Sequence, residues 1–179
     1  MTSATSVRWL PIAGLAAAAL TACSTGTDAP TAASPTTTVA QPGPFFGVCG
    51  QLTDDEVRQA FAVPAFATVT RNSVGCEWEV SGPTGPSVSF SWYRGSPIGR
   101  ERAGSELIGR PAADLEIAGR SGFEALYQDA LGQPVLCESA LQYGSDFVHL
   151  SVTYADVTPT ADPCVVGRQL LETVAERAQ

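Results

Sequence analysis

The chain has no lysine and a single histidine, His149. It has no Cys-x-x-Cys pair, no Gly-x-Ser-x-Gly and no glycine-rich loop opening a helical pattern. Each absence removes a class of chemistry. Zinc sites of the usual spacing need clustered cysteine and histidine, and thiol–disulfide catalysis uses the close cysteine pair. A Ser-His-Asp triad would have to draw on His149, with no nucleophile elbow to present its serine. A phosphate cradle has nothing to build it. The residues carry no catalytic, metal or cofactor signature, and none of the three is expected.

Positive charge is also scarce. The formal net charge is −8. Arg8 and Asp28, the only charged residues before position 45, cancel, so the excess falls on 45–179. Such a surface disfavours nucleic acid and anionic lipid head groups as partners.

The first 22 residues read as a secretory signal. Arg8 precedes an apolar run from Trp9 to Leu20, shorter than the roughly 20 residues a spanning helix needs. Small residues follow, then Cys23: Leu20-Thr21-Ala22-Cys23. This resembles the bacterial lipobox, which implies cleavage before Cys23, diacylglycerol on its sulfur and a membrane partner reached through that lipid. Residues 23–44 are rich in Thr, Ser, Ala and Pro and too poor in large apolar groups to offset the entropy of ordering. They read as a tether with an end-to-end reach of roughly 25 Å. Residues 45–179 have the length of one domain.

Setting Cys23 aside leaves Cys49, Cys76, Cys137 and Cys164. An even number in an exported chain reads as two disulfides, with three possible pairings. Cys49–Cys76 and Cys137–Cys164 are favoured, because their spacings match and each joins a segment flanking a helix to a strand.

Helices are signalled at both ends of the domain. Thr53-Asp54-Asp55-Glu56 is a capping box, with Leu52 and Val57 as its staple, and Pro64 lies beyond the helix end. Asp162 caps a second helix with Pro163 at its first position, and Val166, Leu170, Leu171 and Val174 form its apolar stripe. Between them, Cys76–Val80, Ser87–Tyr93, Leu115–Ala118, Gly122–Tyr127, Val135–Tyr143 and Phe147–Tyr154 alternate with the period of strands. A turn is read at Gly119-Arg120-Ser121. Residues 98–109 form a weak helix diluted by glycine. The expected class is α+β: an antiparallel sheet of six or seven strands, with the terminal helices packed on one face.

A lipobox, a Thr/Pro tether, then VCGQLTDDEVRQAF, GCEWEV, GRSGFEAL and DPCVVGRQLLETVAERA resemble the actinobacterial lipoproteins of the LprB and LprC type, a family of unknown function. The resemblance spans most of the chain. It implies lipidation at Cys23, the disulfide pairing favoured above and a place on the extracytoplasmic face of the cell membrane. It carries over no catalytic residue.

Tyr93 falls out of phase with Trp92, and His149 faces opposite to Val148 and Leu150. These two are the candidates for a ligand or partner surface. Glu77 and Glu79 share a strand face roughly 7 Å apart, the arrangement of a solvated face or, less simply, of a glycosidase pair. The expected function is a non-catalytic envelope lipoprotein that binds an envelope protein or a small apolar ligand. One rival is a lipid or glycolipid carrier, which needs an apolar cavity of about 300 Å³ or more. The other is a hydrolase of envelope polymers, which needs titratable groups converging in a cleft.

Overall fold

The computed structural model describes residues 40–155 and 157–178. The signal segment, Cys23 and most of the tether lie outside them. Contacts of the folded unit begin at Gln41, whose carbonyl accepts from Ser145 N at 2.7 Å. Among the described residues no helix is long and apolar enough to cross a membrane.

A single turn at Val48–Gln51 opens the fold, and Cys49, Gly50 and Gln51 are all left-handed (φ 56°, 64° and 63°). Consecutive left-handed residues are costly unless their surroundings enforce them. Here the Cys49–Cys76 bridge holds one of them. Gly50 is the one residue that fits its place, since a Cβ there would lie 2.7 Å from Phe90 and 2.9 Å from Val174. The sequence pattern showed only a flank of the next helix here, because φ does not appear in hydrophobic period.

Helix α1 is Asp54–Phe61, and its capping box is complete: Glu56 N donates to Thr53 Oγ1, and Thr53 N donates to Glu56 Oε2 at 2.9 Å. Ala62, in the left-handed region, ends it before Pro64. Then come β1 (Thr68–Arg71), β2 (Gly75–Glu79), β3 (Ser87–Tyr93), helix α2 (Ile98–Leu107), β4 (Ala112–Ile117), β5 (Arg120–Gln128), β6 (Pro134–Tyr143), β7 (Asp146–Thr153) and α3 (Pro163–Arg177). The β4–β5 turn is Ala118-Gly119, both at positive φ, the tight two-residue hairpin geometry. It sits one residue earlier than the turn read from the sequence, because Arg120 already pairs with Ile117.

The seven strands form one antiparallel sheet in the order β1-β2-β3-β7-β6-β5-β4. Two meanders therefore meet at β3 and β7, and this long-range pairing runs in register from Ser87↔Thr153 to Tyr93↔Phe147. The first meander includes β1, whose edge residues carry little alternation in burial.

Helices α1 and α3 cover one face, over Trp78, Val88, Leu141, Leu150 and Val152, each fully buried. Trp78 Nε1 donates to Asp54 Oδ1 at 2.7 Å, which ties the β2 core residue to the start of α1. Tyr154 OH donates to the Phe61 carbonyl at 3.1 Å. Both disulfides form as favoured from the sequence: Cys49–Cys76 with Cα atoms 5.3 Å apart, and Cys137–Cys164 with 5.1 Å. The second fastens the start of α3 to the middle of the sheet. The expectation of helices on one face holds for the terminal pair. Helix α2 is the exception and lies on the opposite face. It is glycine-diluted and buries only Ser105 among its side chains, so its sequence carried no apolar stripe to reveal that position.

Candidate functional site

Strand alternation sorts the residues of the second face. On β3 they are Ser87, Ser89, Ser91 and Tyr93; on β7, Phe147, His149, Ser151 and Thr153; on β6, Glu138, Ala140 and Gln142. Helix α2 covers one end of this face, over a small apolar cluster of Phe123, Ala125, Ala140 and Phe147, with Tyr93, Ile98 and Ala112 packed around it. Beyond Tyr93 and His149 none of the described residues covers the face, and its side chains turn to hydroxyls and carboxylates.

The two residues singled out from the sequence meet at this border. Tyr93 is half-buried and stacks on Phe147, with ring centroids 4.5 Å apart and planes 10° apart. It lies edge-on to His149 at 6.3 Å. Burial holds the Tyr93 phenol above its usual value, with Glu101 adding to the effect. His149 is 7% exposed, and its Nε2 is buried without a hydrogen-bond partner among the described residues. Few native buried polar atoms are left this way, and each invites a reason.

Four further residues belong to the cluster. Glu138 accepts from Ser105 Oγ of α2 at 2.7 Å and pairs with Arg110. Glu101 of α2 lies near enough to act on both Tyr93 and His149. Sequence reading missed all four. They come from α2, the loop after it and β6, and only the sheet order brings those segments to β3 and β7. The one local signal was Glu138, the one charged residue of β6.

Burial drives the His149 pKa below its usual value, against the pull of Glu138 and Glu101 and with help from Arg110. The imidazole is therefore neutral in the folded protein near neutral pH. In the unfolded chain it takes a proton near pH 6.5. Below that value the unfolded state binds the extra proton, so stability is full above pH 6.5 and falls as the pH drops through it. His149 is the sole histidine, and carboxylates titrate lower. Urea midpoints are thus expected to fall from pH 7.5 to 5.5 in the wild type and to stay nearly level over that interval in His149→Leu. Parallel pH profiles for the two proteins would refute this.

Other candidates are dispersed. Glu77 and Glu79 stand on β2 opposite Ser89 and Ser87. They are separated from the β7 row of His149 by β3, roughly 10 Å at sheet spacing. The other large aromatic residues form no common site with them: Trp78 and Phe123 are core, Trp92 is 8% exposed and Tyr127 is 48% exposed at the far end of β5. Among the described residues, Glu124, Cys137 and Cys164 draw together. The two sulfurs are bonded to each other, however, and Glu124 is taken up by Arg168 at 2.6 Å, so the group explains itself without an ion.

Two clefts lie on this face of the sheet. One, about 630 Å³, runs between α2 and the β4–β5 edge, lined by Ile98, Arg102, Asp114, Phe123 and Gln142. The other, about 540 Å³, lies over β2 and β3, bounded by Asn72 and Val74 of the β1–β2 turn and by Tyr93 and Arg94.

A family model described as "Protein of unknown function (DUF3558)" matches residues 18–177. Proteins named "Putative lipoprotein LprB" are similar to the chain. Those of Mycobacterium bovis and Mycobacterium tuberculosis are each 41% identical over 129 residues, which is 72% of this chain and 69% of the relative. That of Mycobacterium leprae is 40% identical over 138 residues, 76% of this chain and 73% of the relative. No solved structure matches the chain.

Proposed function

The chain belongs to the DUF3558 family of proteins of unknown function, with mycobacterial relatives named as lipoproteins, and from that premise we propose that it is a cell-envelope lipoprotein that binds without catalysing. In this reading lipid on Cys23 holds it to the extracytoplasmic face of the membrane, and the α2-bearing face of the sheet receives its ligand or partner. The observation that carries the binding role is the border at Tyr93 and His149. A buried imidazole nitrogen there has no hydrogen-bond partner among the described residues, and it adjoins a hydroxyl-bearing floor that none of them covers. The nearest acid on β6, Glu138, is already committed to Ser105 and Arg110. A general base needs a proton to move within hydrogen-bond reach. An arrangement whose acid is spent on holding α2 in place supports recognition over hydrolysis. The interior beneath α1 and α3 is filled by Trp78, Phe61, Leu150 and Leu171, which favours a surface ligand over one carried in the core.

The test is photocrosslinking in intact cells. A photoreactive residue replacing Ser89, on the uncovered face, is expected to give a discrete adduct. The same residue at Glu172, on the exposed side of α3, gives none. Equal labelling from both positions, or none from either, would remove the binding role.

A further inference from the structure

The second cleft has a chemical character of its own. Its floor carries Glu77 of β2 and Ser89 and Ser91 of β3, with Thr70 at one side, and Val74, Phe90 and Trp92 add apolar surface to the lining. The hydroxyl row continues past the cleft, because Ser89 pairs in register with Ser151 of β7. At one wall the Asn72 Oδ1 accepts from Val74 N and Gly75 N, each at 2.9 Å, which fixes the side chain and leaves its NH₂ to donate. At the other wall Tyr93 is held in place by its stack on Phe147. The volume, about 540 Å³, falls within the usual range for small-ligand clefts, roughly 300 to 1,000 Å³.

These groups exclude most occupants. An anion finds one cation there, Arg94, already placed 3.9 Å over the Trp92 ring, together with the Glu77 carboxylate and a chain of net charge −8. An acyl chain would bury hydroxyls with nothing to bond to them, at a cost in desolvation. A peptide adding as a strand needs a free sheet edge, and this floor is the face of paired strands. What remains is a ligand with many uncharged hydroxyls. Serine and threonine donate and accept in either sense, a carboxylate accepts from two adjacent hydroxyls through strong charge-assisted bonds, and an aromatic ring packs against the C–H face of a sugar.

We infer that the cleft between the β1–β2 turn and Tyr93 binds a segment of neutral oligosaccharide, with Glu77, Ser89 and Ser91 reading its hydroxyls and Tyr93 packing on a ring face. The inference rests on the binding role proposed above and names the ligand class.

The probe is neutral polysaccharide, purified and deproteinised from the envelope of cells that make this chain, in affinity electrophoresis with the full lipidated protein in detergent. The wild type is expected to be retarded by this polysaccharide and not by heparin. Glu77→Gln weakens retardation about tenfold or more, the scale of one hydrogen bond to a charged group, and Ser91→Ala weakens it about fivefold, the scale of a neutral one. Glu172→Gln leaves it unchanged. Glu77 is exposed, so its variant folds whatever happens at other positions. Absence of retardation, or Glu77→Gln behaving as wild type, overturns the inference. If the Ser89 crosslink persists in cells while the polysaccharide fails to bind, the sugar assignment falls and the binding surface stands. If both fail, the proposed function falls with it.

Discussion

Replacing Cys49, Cys76, Cys137 and Cys164 together by serine is expected to leave the chain largely unfolded at physiological temperature. Each bridge closes a loop with a sequence separation of 27, worth about 3.5 kcal/mol in the chain-entropy model. Together they approach the whole stability of an ordinary domain, about 5–15 kcal/mol. The equal loop lengths make the two bridges directly comparable. Their entropic parts are the same, so any difference between the Cys49→Ser/Cys76→Ser and Cys137→Ser/Cys164→Ser pairs reports what each does in the folded state. The first holds a left-handed turn whose other ties are two exposed hydrogen bonds between Gln51 and Arg177 and the close fit of Gly50 against Phe90 and Val174. The second holds α3, which also buries Val166, Leu170, Leu171 and Val174. Losing the first pair is therefore expected to cost more. Urea unfolding of the two double variants and the quadruple variant measures this. A quadruple variant less than about 1 kcal/mol below wild type would show that the bridges are dispensable.

Cys23→Ser is expected to move the protein wholly from the membrane to the soluble fraction, with the domain still folded. One acyl chain binds a membrane only marginally, whereas two or more hold it firmly. The described residues offer no spanning helix in their place. The domain survives because its four other cysteines already pair among themselves. Fractionation, with the intact mass of the mature chain, reads the result. A Cys23→Ser protein that stays in the membrane fraction would show that something other than lipid on this residue anchors it.

The surface net charge, the caps and the strand faces were legible in the residues. Thr53, Glu56 and Asp162 act within one helical turn, so their roles follow from spacing alone. Trp78, Phe90 and Leu150 alternate with polar neighbours, and that period placed them in the core before any fold was known. The candidate site was legible only in part. Tyr93 and His149 drew notice because each breaks or reverses an apolar phase. That they touch, and that Glu138, Arg110 and Ser105 stand beside them, required the pairing of β3 with β7 and of β7 with β6. The hydroxyl floor has the same origin. Ser89 and Ser151 are ordinary strand residues until register sets them side by side.

By itself the sequence determined what short-range forces decide: which segments are helix or strand, the edge strand β1 excepted, where helices start, and which strand face is apolar. The tertiary structure alone decided the order of the strands, the side on which the weakly amphipathic α2 lies, and the left-handed turn at Cys49. Those depend on which faces are buried against which across many tens of residues, a contest of packing and loop closure that leaves no periodic trace along the chain.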